Sequence, residues 1–462
     1  FLRYIIPGLY MNLYYFNHNF MVLKTYLSCG NWRDKMSNYF VKQININKVR
    51  HHKSINIPLS GNKKKHLILT GKNGSGKTSI LEGIYKYLGV FDQTSYKTFK
   101  NWYKELEMHK RIVKDMEHTL LNENLAGQRK EEYRNAIINN LKHAEHLEGL
   151  IEGQTKEIEL EINYDENIDD NYQNNNFIIA YFSANRTSDM KIPRGVEKID
   201  LQDYRRDQNV GSLFIKYLVD LKTQELFAHH EGELKYAKKL ANWFKYLEKN
   251  LKIIFENENL ELKYDYKNYN FQVIEPNKEP YTLNSLSSGF SSILSIVTEL
   301  IMRMENNRGN LYDIQGIVLI DELEAHLHVS LQKKILKFIT DFFPNIQFII
   351  TTHSPFIINS IEDVVIFDLE TQVLLEDLSN YSYRAIVEEF FNVDQYSYLV
   401  KEKVKEYQNL VEHIHNLNDQ ERNRLEELNM DLSKFPELHS EDIKLAKAYI
   451  DLKRNLSGVK ND

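Results

Sequence analysis

The chain has 462 residues, 42% hydrophobic and 27% charged, the composition of a globular protein long enough for about three domains or one large α/β domain with insertions. Its formal charge of −6 excludes a uniformly basic nucleic-acid binder, leaving local basic patches to be judged singly. The single cysteine, Cys29, excludes an intrachain disulfide and a cysteine-rich metal site and fits a reducing, cytoplasmic setting, and no run of about 18 uncharged apolar residues marks a membrane span.

Residues 1–35 are aromatic-rich and aperiodic, and Asn12, Asn17, His18 and Asn19 interrupt any signal-peptide core. Strand patterning begins only after Met36, so 1–35 is expected to be an extension that is not native to the domain. Val41–Ile46 and Ser54–Leu59 alternate as two strands around a basic turn. His66–Thr70 then reads as a short buried strand. It runs into Gly71-Lys72-Asn73-Gly74-Ser75-Gly76-Lys77-Thr78-Ser79, which fits G-x-x-x-x-G-K-[ST] and opens a helix at Ile80. This strand–loop–helix context predicts a phosphate cradle over Asn73, Gly74, Ser75, Gly76, Lys77, Thr78 and Ser79. The glycines let successive N–H groups turn toward phosphates, Lys77 adds a positive charge, and the Thr78 hydroxyl is offered to Mg²⁺.

From about Phe99 to Leu150 apolar residues recur at helical spacing on either side of a turn at Asn124–Gly127, predicting a hairpin of two arms about 37 Å long. Because the heptad register is not sustained, a packed helical lobe is expected rather than a protruding coiled coil. Phe177–Phe182 reads as a buried strand, 211–255 as helical, and 260–274 as a hairpin around Lys267-Asn268. From 283 to 370 helices and strands alternate as in a parallel sheet, and the tail from Tyr383 is helical.

Three further constellations carry chemistry. Gly316–Ile320 is a buried strand that delivers Asp321 and Glu322 at its C-terminal end, where ligands sit in α/β sheets. Asp321 is placed to hold Mg²⁺, and Glu322 to polarise the water that attacks the γ-phosphate. Phe348–Thr352 is another buried strand, ending in His353-Ser354-Pro355, and His353 is placed to hydrogen-bond a γ-phosphate oxygen. Ser287-Ser288-Gly289 opens the helix that includes Ile293–Met302, a second anion seat.

In this order, P-loop, L-S-x-G before a helix, hydrophobic-Asp-Glu and a T-T-H-S strand end, the chain resembles an ABC-type ATPase head of the RecF/SMC and OLD-like branch. The stretches Ile320-Asp321-Glu322-Leu323-Glu324-Ala325-His326-Leu327-His328 and Thr352–Pro355 resemble the stand-alone AAA-labelled ATPases of anti-phage systems of the Septu and PARIS kind. Val49-Arg50 resembles the branch's N-terminal strand motif. The close match covers about 40–90 and 280–370. The resemblance implies an α/β fold: an ABC-ATPase head, a P-loop NTPase whose mixed, mainly parallel sheet is flanked by helices, with an inserted helical hairpin or lobe and a helical C-terminal tail. The expected division is 36–95 for the N-lobe, 96–160 for the hairpin, 161–280 for a strand plus helical lobe, 281–375 for the C-lobe and 376–462 for the tail.

The resemblance also implies ATP and Mg²⁺ as cofactors and a homodimer or higher homo-oligomer. Ser287 and Gly289 of one protomer would face ATP on another, with Glu322 catalytic and His353 sensing the γ-phosphate. Two departures accompany it. Phe290 follows Gly289 where the family usually has Gln or Glu, and Ser183-Ala184-Asn185-Arg186 occupies the place of the Mg²⁺-sensing glutamine loop. Slow hydrolysis with ATP-gated assembly is therefore expected, controlling a partner effector, a nuclease or toxin, in phage defence. A DNA-binding repair or chromosome-type head is the alternative, with Lys63-Lys64-Lys65 and Arg205-Arg206 as its phosphate contacts. An OLD-type nuclease is disfavoured, since the residues after His353 are expected to be helical and to lack the Glu and Asp-x-Asp pattern of strand-end acidic residues that holds its metals. His413 and His415 point apart on a helix and are rejected as a metal pair.

Overall fold

The computed structural model describes residues 39–122, 125–199, 209–305, 314–379, 381–387, 398–413 and 416–433. The expectation for 1–35 and the Arg205-Arg206 pair lie outside them. The chain divides into two compact units, one running to Tyr381 and the other starting at Ser382.

Alternating apolar residues form β1 (Phe40–Val49), and β2 (His52–Pro58) returns antiparallel with Ile44 opposite Ile57 and Ile46 opposite Ile55. β3 (His66–Thr70) is buried along its whole length and leads through the glycine-rich loop into α1 (Lys77–Tyr87). Two long helices follow, α2 (Tyr96–Asn122) and α3 (Gly127–Thr155), and β4 (Ile158–Asn163) then pairs with the free edge of β1. β5 (Phe177–Phe182) precedes α4 (Phe214–His230) and α5 (Leu234–Ile254). β6 (Glu261–Asp265), β7 (Asn270–Ile274) and β8 (Tyr281–Thr282) make a small antiparallel sheet. α6 (Ser288–Glu305), β9 (Gln315–Ile320), α7 (Val329–Phe342), β10 (Ile346–Thr351), β11 (Val364–Asp368) and β12 (Leu374–Glu376) complete the unit.

The main sheet has the order β12-β11-β3-β10-β9-β5, parallel throughout except for β12. Such strands read as unbroken apolar runs because both faces are covered. Leu67, Leu69, Ile317, Leu319 and Ile349 point to one face and join Ile80, Leu81 and Ile84 of α1 and Ile44, Ile46 and Ile57 of the antiparallel sheet in one core. The helix behind the P-loop is thus clamped between two sheets. Gln347, fully buried on β10, ties them together: it accepts from Val41 N at 2.7 Å and donates to Val41 O at 3.0 Å and Lys65 O at 2.7 Å. The expected α/β P-loop architecture with inserted helices is present.

The inserted hairpin corrects one expectation. Its arms are 27 and 29 residues long, and among the described residues the cluster they bury against each other is Leu106, Ala144, Leu147 and Ile151, with Trp102 and Tyr103 packed at the base and Val113 buried farther out. Towards the tip Leu121 is 84% exposed and Ile138 48%. The helices pack on each other and not into a lobe, because too few apolar positions per turn remain to cover a third element.

In the second unit, α8 (Tyr398–Glu412) and α9 (Asp419–Ser433) close a small core of Tyr407, Val411, Leu417, Leu425 and Leu428. Among the described residues of the tail, Tyr383–Ala385, Tyr398–Glu412 and Asp419–Ser433 are helical, as expected, whereas β11 and β12, ending in Asp368 and Glu376, correct the expectation that only helix follows His353. No described helix is long and apolar enough to cross a membrane.

Candidate functional site

Parallel order brings the C-terminal ends of β3, β10, β9 and β5 to one edge, so the sequence motifs that follow these strands meet there. After β3, Gly71, Gly74 and Gly76 adopt φ of +137°, +83° and +93°, which L side chains resist. The first intrahelical bond of α1 runs from Ile80 N to Gly76 O. The N–H groups of Gly76, Lys77, Thr78 and Ser79 therefore precede the helical ladder, which makes an anion seat. Lys77 arches back over the loop, donating to the carbonyls of Gly71 at 2.9 Å and Lys72 at 3.0 Å. Burial holds its pKa below the usual lysine value, while Glu322, Asp321, Glu324 and Asp368 pull the other way. From β2, the buried His52 donates through Nε2 to the Ser75 carbonyl at 2.6 Å and braces the outer wall.

Asp321, at the end of β9, is buried and accepts from Thr78 Oγ1 at 2.9 Å through one oxygen and from Thr351 Oγ1 at 2.6 Å through the other. Thr78 and Asp321 offer oxygen donors only, the hard set that Mg²⁺ takes beside nucleotide phosphates. Thr351 Oγ1 also accepts from Glu322 N at 2.7 Å, so one hydroxyl fixes both acidic residues. Glu322 sits at φ +45°, a left-handed conformation unusual for a residue with a side chain. Arg186, from the loop after β5, supplies the restraint. Its Nη1 donates to Asp321 O at 2.7 Å, and its Nη2 to Glu322 O at 3.1 Å and Leu323 O at 3.0 Å. Burial lowers the Arg186 pKa to about 10 against the opposing pull of Glu324, Asp321 and Glu322, which still leaves it charged at neutral pH.

His353, half-buried, follows β10. Glu324 grips its turn: Oε2 accepts from Thr352 Oγ1 at 2.7 Å and Oε1 from His353 N. The imidazole is pushed below its ordinary pKa by burial and then by the Lys77 charge, with Glu324, Glu322 and Asp321 opposing. It is thus neutral above about pH 6.5 and able to both donate and accept.

Lys77, Thr78, Asp321, Glu322 and His353 share this edge, with the rest of 73–79 around them. Ser287 and Gly289 do not join it through any described contact. Gly289 packs on α7's leading turn so closely that a Cβ would lie 2.7 Å from His326 O. Phe290, the departure from the family pattern, stacks on Phe255 with centroids 4.5 Å apart. Arg186, Thr351, Glu324 and His52 were not assigned these roles from sequence. A carboxylate inside Asp321–His328 is the signal for Glu324, and its place after β5 marks the Ser183–Arg186 loop, but not Arg186's grip on the carbonyls of Asp321, Glu322 and Leu323.

A family model described as "AAA domain, putative AbiEii toxin, Type IV TA system" matches residues 67–359, more than half of the chain. The chain belongs to that AAA family. Among curated relatives, this AAA chain is 40% identical over 101 residues to "Septu protein PtuA" of Bacillus mycoides (strain KBAB4), covering 22% of the chain and 13% of the relative. It is 32% identical over 151 residues to "Retron Ec83 probable ATPase" of Escherichia coli, covering 30% and 28%. These matches span well under a third of each relative. Among solved structures, an Smc head domain with an extended coiled coil, bound to the C-terminal domain of ScpA and derived from Pyrococcus furiosus, is 10% identical with a TM-score of 0.32, covering 76% of this chain and 100% of that one. A score that low carries nothing about activity.

Proposed function

We propose that the chain is an ABC-type ATPase that binds ATP with Mg²⁺, pairs head to head on ATP, hydrolyses it slowly and thereby controls a partner effector in anti-phage defence. The observation that carries the reading is the Thr78–Asp321 hydrogen bond of 2.9 Å, which places a P-loop hydroxyl and a strand-end carboxylate as one hard-oxygen set beside Lys77. Bound there, Mg²⁺ would neutralise charge developing on the phosphates. Thr78 and Asp321 would hold it. Glu322 would orient the attacking water, and His353 would donate to a terminal phosphate oxygen.

The pairing half of the reading rests on Ser287 and Gly289. They open a helix of the same unit yet make no described contact with the P-loop, so a second head is the natural source of their ligand. The effector half rests on the similarity to proteins named "Septu protein PtuA" and "Retron Ec83 probable ATPase", together with the resemblance of Ile320–His328 and Thr352–Pro355 to the ATPases of anti-phage systems. The test is light scattering of the Glu322→Gln variant with Mg-ATP. Removing the group that orients water should trap a dimer that the wild type forms only transiently, and Lys77→Ala should abolish it. A Glu322→Gln variant that stays monomeric at saturating ATP, with nucleotide binding verified, would sink head pairing.

A further inference from the structure

The basic motif that attracts attention in the sequence is already occupied. Lys63 pairs with Asp363, Lys65 with Glu376, and Lys64 donates to the carbonyls of Pro344 and Ile346. Single exposed lysines without an ion pair, such as Lys104, Lys114 and Lys142 on α2 and α3, occur among the described residues, but a denser group lies on α5. Its 21 residues, LKYAKKLANWFKYLEKNLKII, include six lysines and one acid, Glu248, in a chain whose net charge is −6.

Helical geometry gathers these lysines. At 100° per residue, Lys235, Lys238, Lys239, Lys245, Lys249 and Lys252 fall within an arc of about 140°. Ala237, Leu240, Leu247, Leu251 and Ile254 are buried on the opposite side. The first five lysines are exposed and, among the described residues, make no ion pair. Some helical lysines elsewhere are paired, Lys110 with Glu148, Lys334 with Glu256, Lys337 with Asp341 and Lys403 with Asp431, whereas on α5 five unpaired ones share a single face. Glu248 does not serve the row, because its Oε2 accepts from Leu262 N at 3.1 Å and its Oε1 pairs with Lys252. From Lys235 to Lys249 the row is about 21 Å long, with Lys235 and Lys239, and Lys245 and Lys249, about 5–6 Å apart and a rise of about 10 Å between Lys238 and Lys245.

We propose that this lysine face of α5 binds the phosphate backbone of duplex nucleic acid without sequence selection. A straight row of free ammonium groups complements a polyanion carrying one charge per about 1.7 Å of axis. Lysines supply point charges that read no base pattern, which fits backbone rather than base-edge contact. An anionic membrane is the lesser fit. Leu234 and Ile253 are exposed at the two ends of the lysine face, but Ala237, Leu240, Leu247, Leu251 and Ile254 are buried in the core, so no continuous apolar face remains to insert as an interfacial helix does. The inference stands apart from the ATP-switch reading and survives its failure.

The test is fluorescence anisotropy of a labelled duplex of about 24 base pairs and arbitrary sequence, between about 50 and 200 mM salt. The full chain should bind with an affinity that falls steeply as salt rises. Lys238→Gln/Lys245→Gln/Lys249→Gln should weaken binding at least about ten-fold and flatten the slope of log K against log salt by about 2 to 3, near 0.9 per lost phosphate contact. Lys104→Gln/Lys114→Gln/Lys142→Gln, matched in charge but placed on α2 and α3, should leave affinity and slope unchanged. Unaltered thermal melting would show that the α5 variant remains folded. The proposal is overturned if the wild type does not bind duplex, if the α5 variant binds as the wild type does, or if the control loses as much. It is also overturned if α5 substitution abolishes binding to phosphatidylserine vesicles while leaving duplex binding intact.

Discussion

Arg186 holds Glu322 by its backbone: Nη2 donates to the Glu322 carbonyl at 3.1 Å, and the residue so held stands at φ +45°. The carboxylate proposed to orient water is therefore aimed by a conformation it would not choose alone. The same guanidinium also holds the carbonyls of Asp321 and Leu323, so three consecutive peptide units turn around one side chain. Strain of this kind persists only where neighbours over-determine it.

Arg186→Lys should separate binding from turnover. A lysine keeps the charge but cannot fork to three carbonyls, so Glu322 should relax toward ordinary backbone geometry. Steady-state hydrolysis should fall by about ten- to a hundred-fold, the scale of a misplacement near 1 Å. Affinity for a fluorescent ATP analogue should change little, because Lys77 and the P-loop are untouched. Equal losses in binding and turnover would mean that Arg186 supports the fold as a whole.

At Gly289 a Cβ would sit 2.7 Å from the carbonyl oxygen of His326, itself at φ +64°. Backbone cannot swing aside as a long side chain can. Gly289→Ala should cost about 1–3 kcal/mol through overpacking. Chemical denaturation should show a lowered midpoint with an unchanged slope. A variant as stable as the wild type would show that α6 can move away from the His326 turn without penalty.

His66, buried at the start of β3, accepts from Phe348 N at 3.0 Å through Nδ1. Burial and then the neighbouring Lys64 charge depress its pKa to about 3, with Asp363 opposing. The folded protein thus refuses a proton that the unfolded chain accepts below about pH 6.5. Its contribution is complete above that pH and is lost progressively as pH falls towards about 3. By pH 4 the loss should reach about 3 kcal/mol at 1.36 kcal/mol per unit. His66→Asn, which keeps an acceptor but not the titration, should flatten the melting-temperature profile between pH 6.5 and 4. Parallel profiles for the two proteins would remove His66 from the acid limb.

Much of the site was legible because its parts are local. A P-loop needs glycines at fixed offsets between a strand and a helix, and Gly71–Ser79 supplies them in nine consecutive residues. Asp321 and Glu322 announce themselves as carboxylates at the end of an unbroken apolar run, and His353 likewise ends one. The hairpin was legible as helices but not as a self-packing arm. Spacing shows which residues share a face; whether a third element covers that face depends on apolar residues far away in the chain. The acidic and carbonyl partners of the Lys63–Lys65 run were not legible for a related reason, since they lie some 300 residues downstream.

The sequence by itself determined the elements, their order and the residue types that could touch a phosphate, because backbone preference and hydrophobic period act over a few residues. Only the tertiary structure decided that β10 lies between β3 and β9, which lets one Thr351 hydroxyl serve both Asp321 and Glu322. It also decided that Arg186 crosses from β5 to set the Glu322 backbone and that Glu324 sets His353. Those partners are joined by hydrogen bonds across neighbouring strands, and nothing in a linear chain specifies which strands will be neighbours.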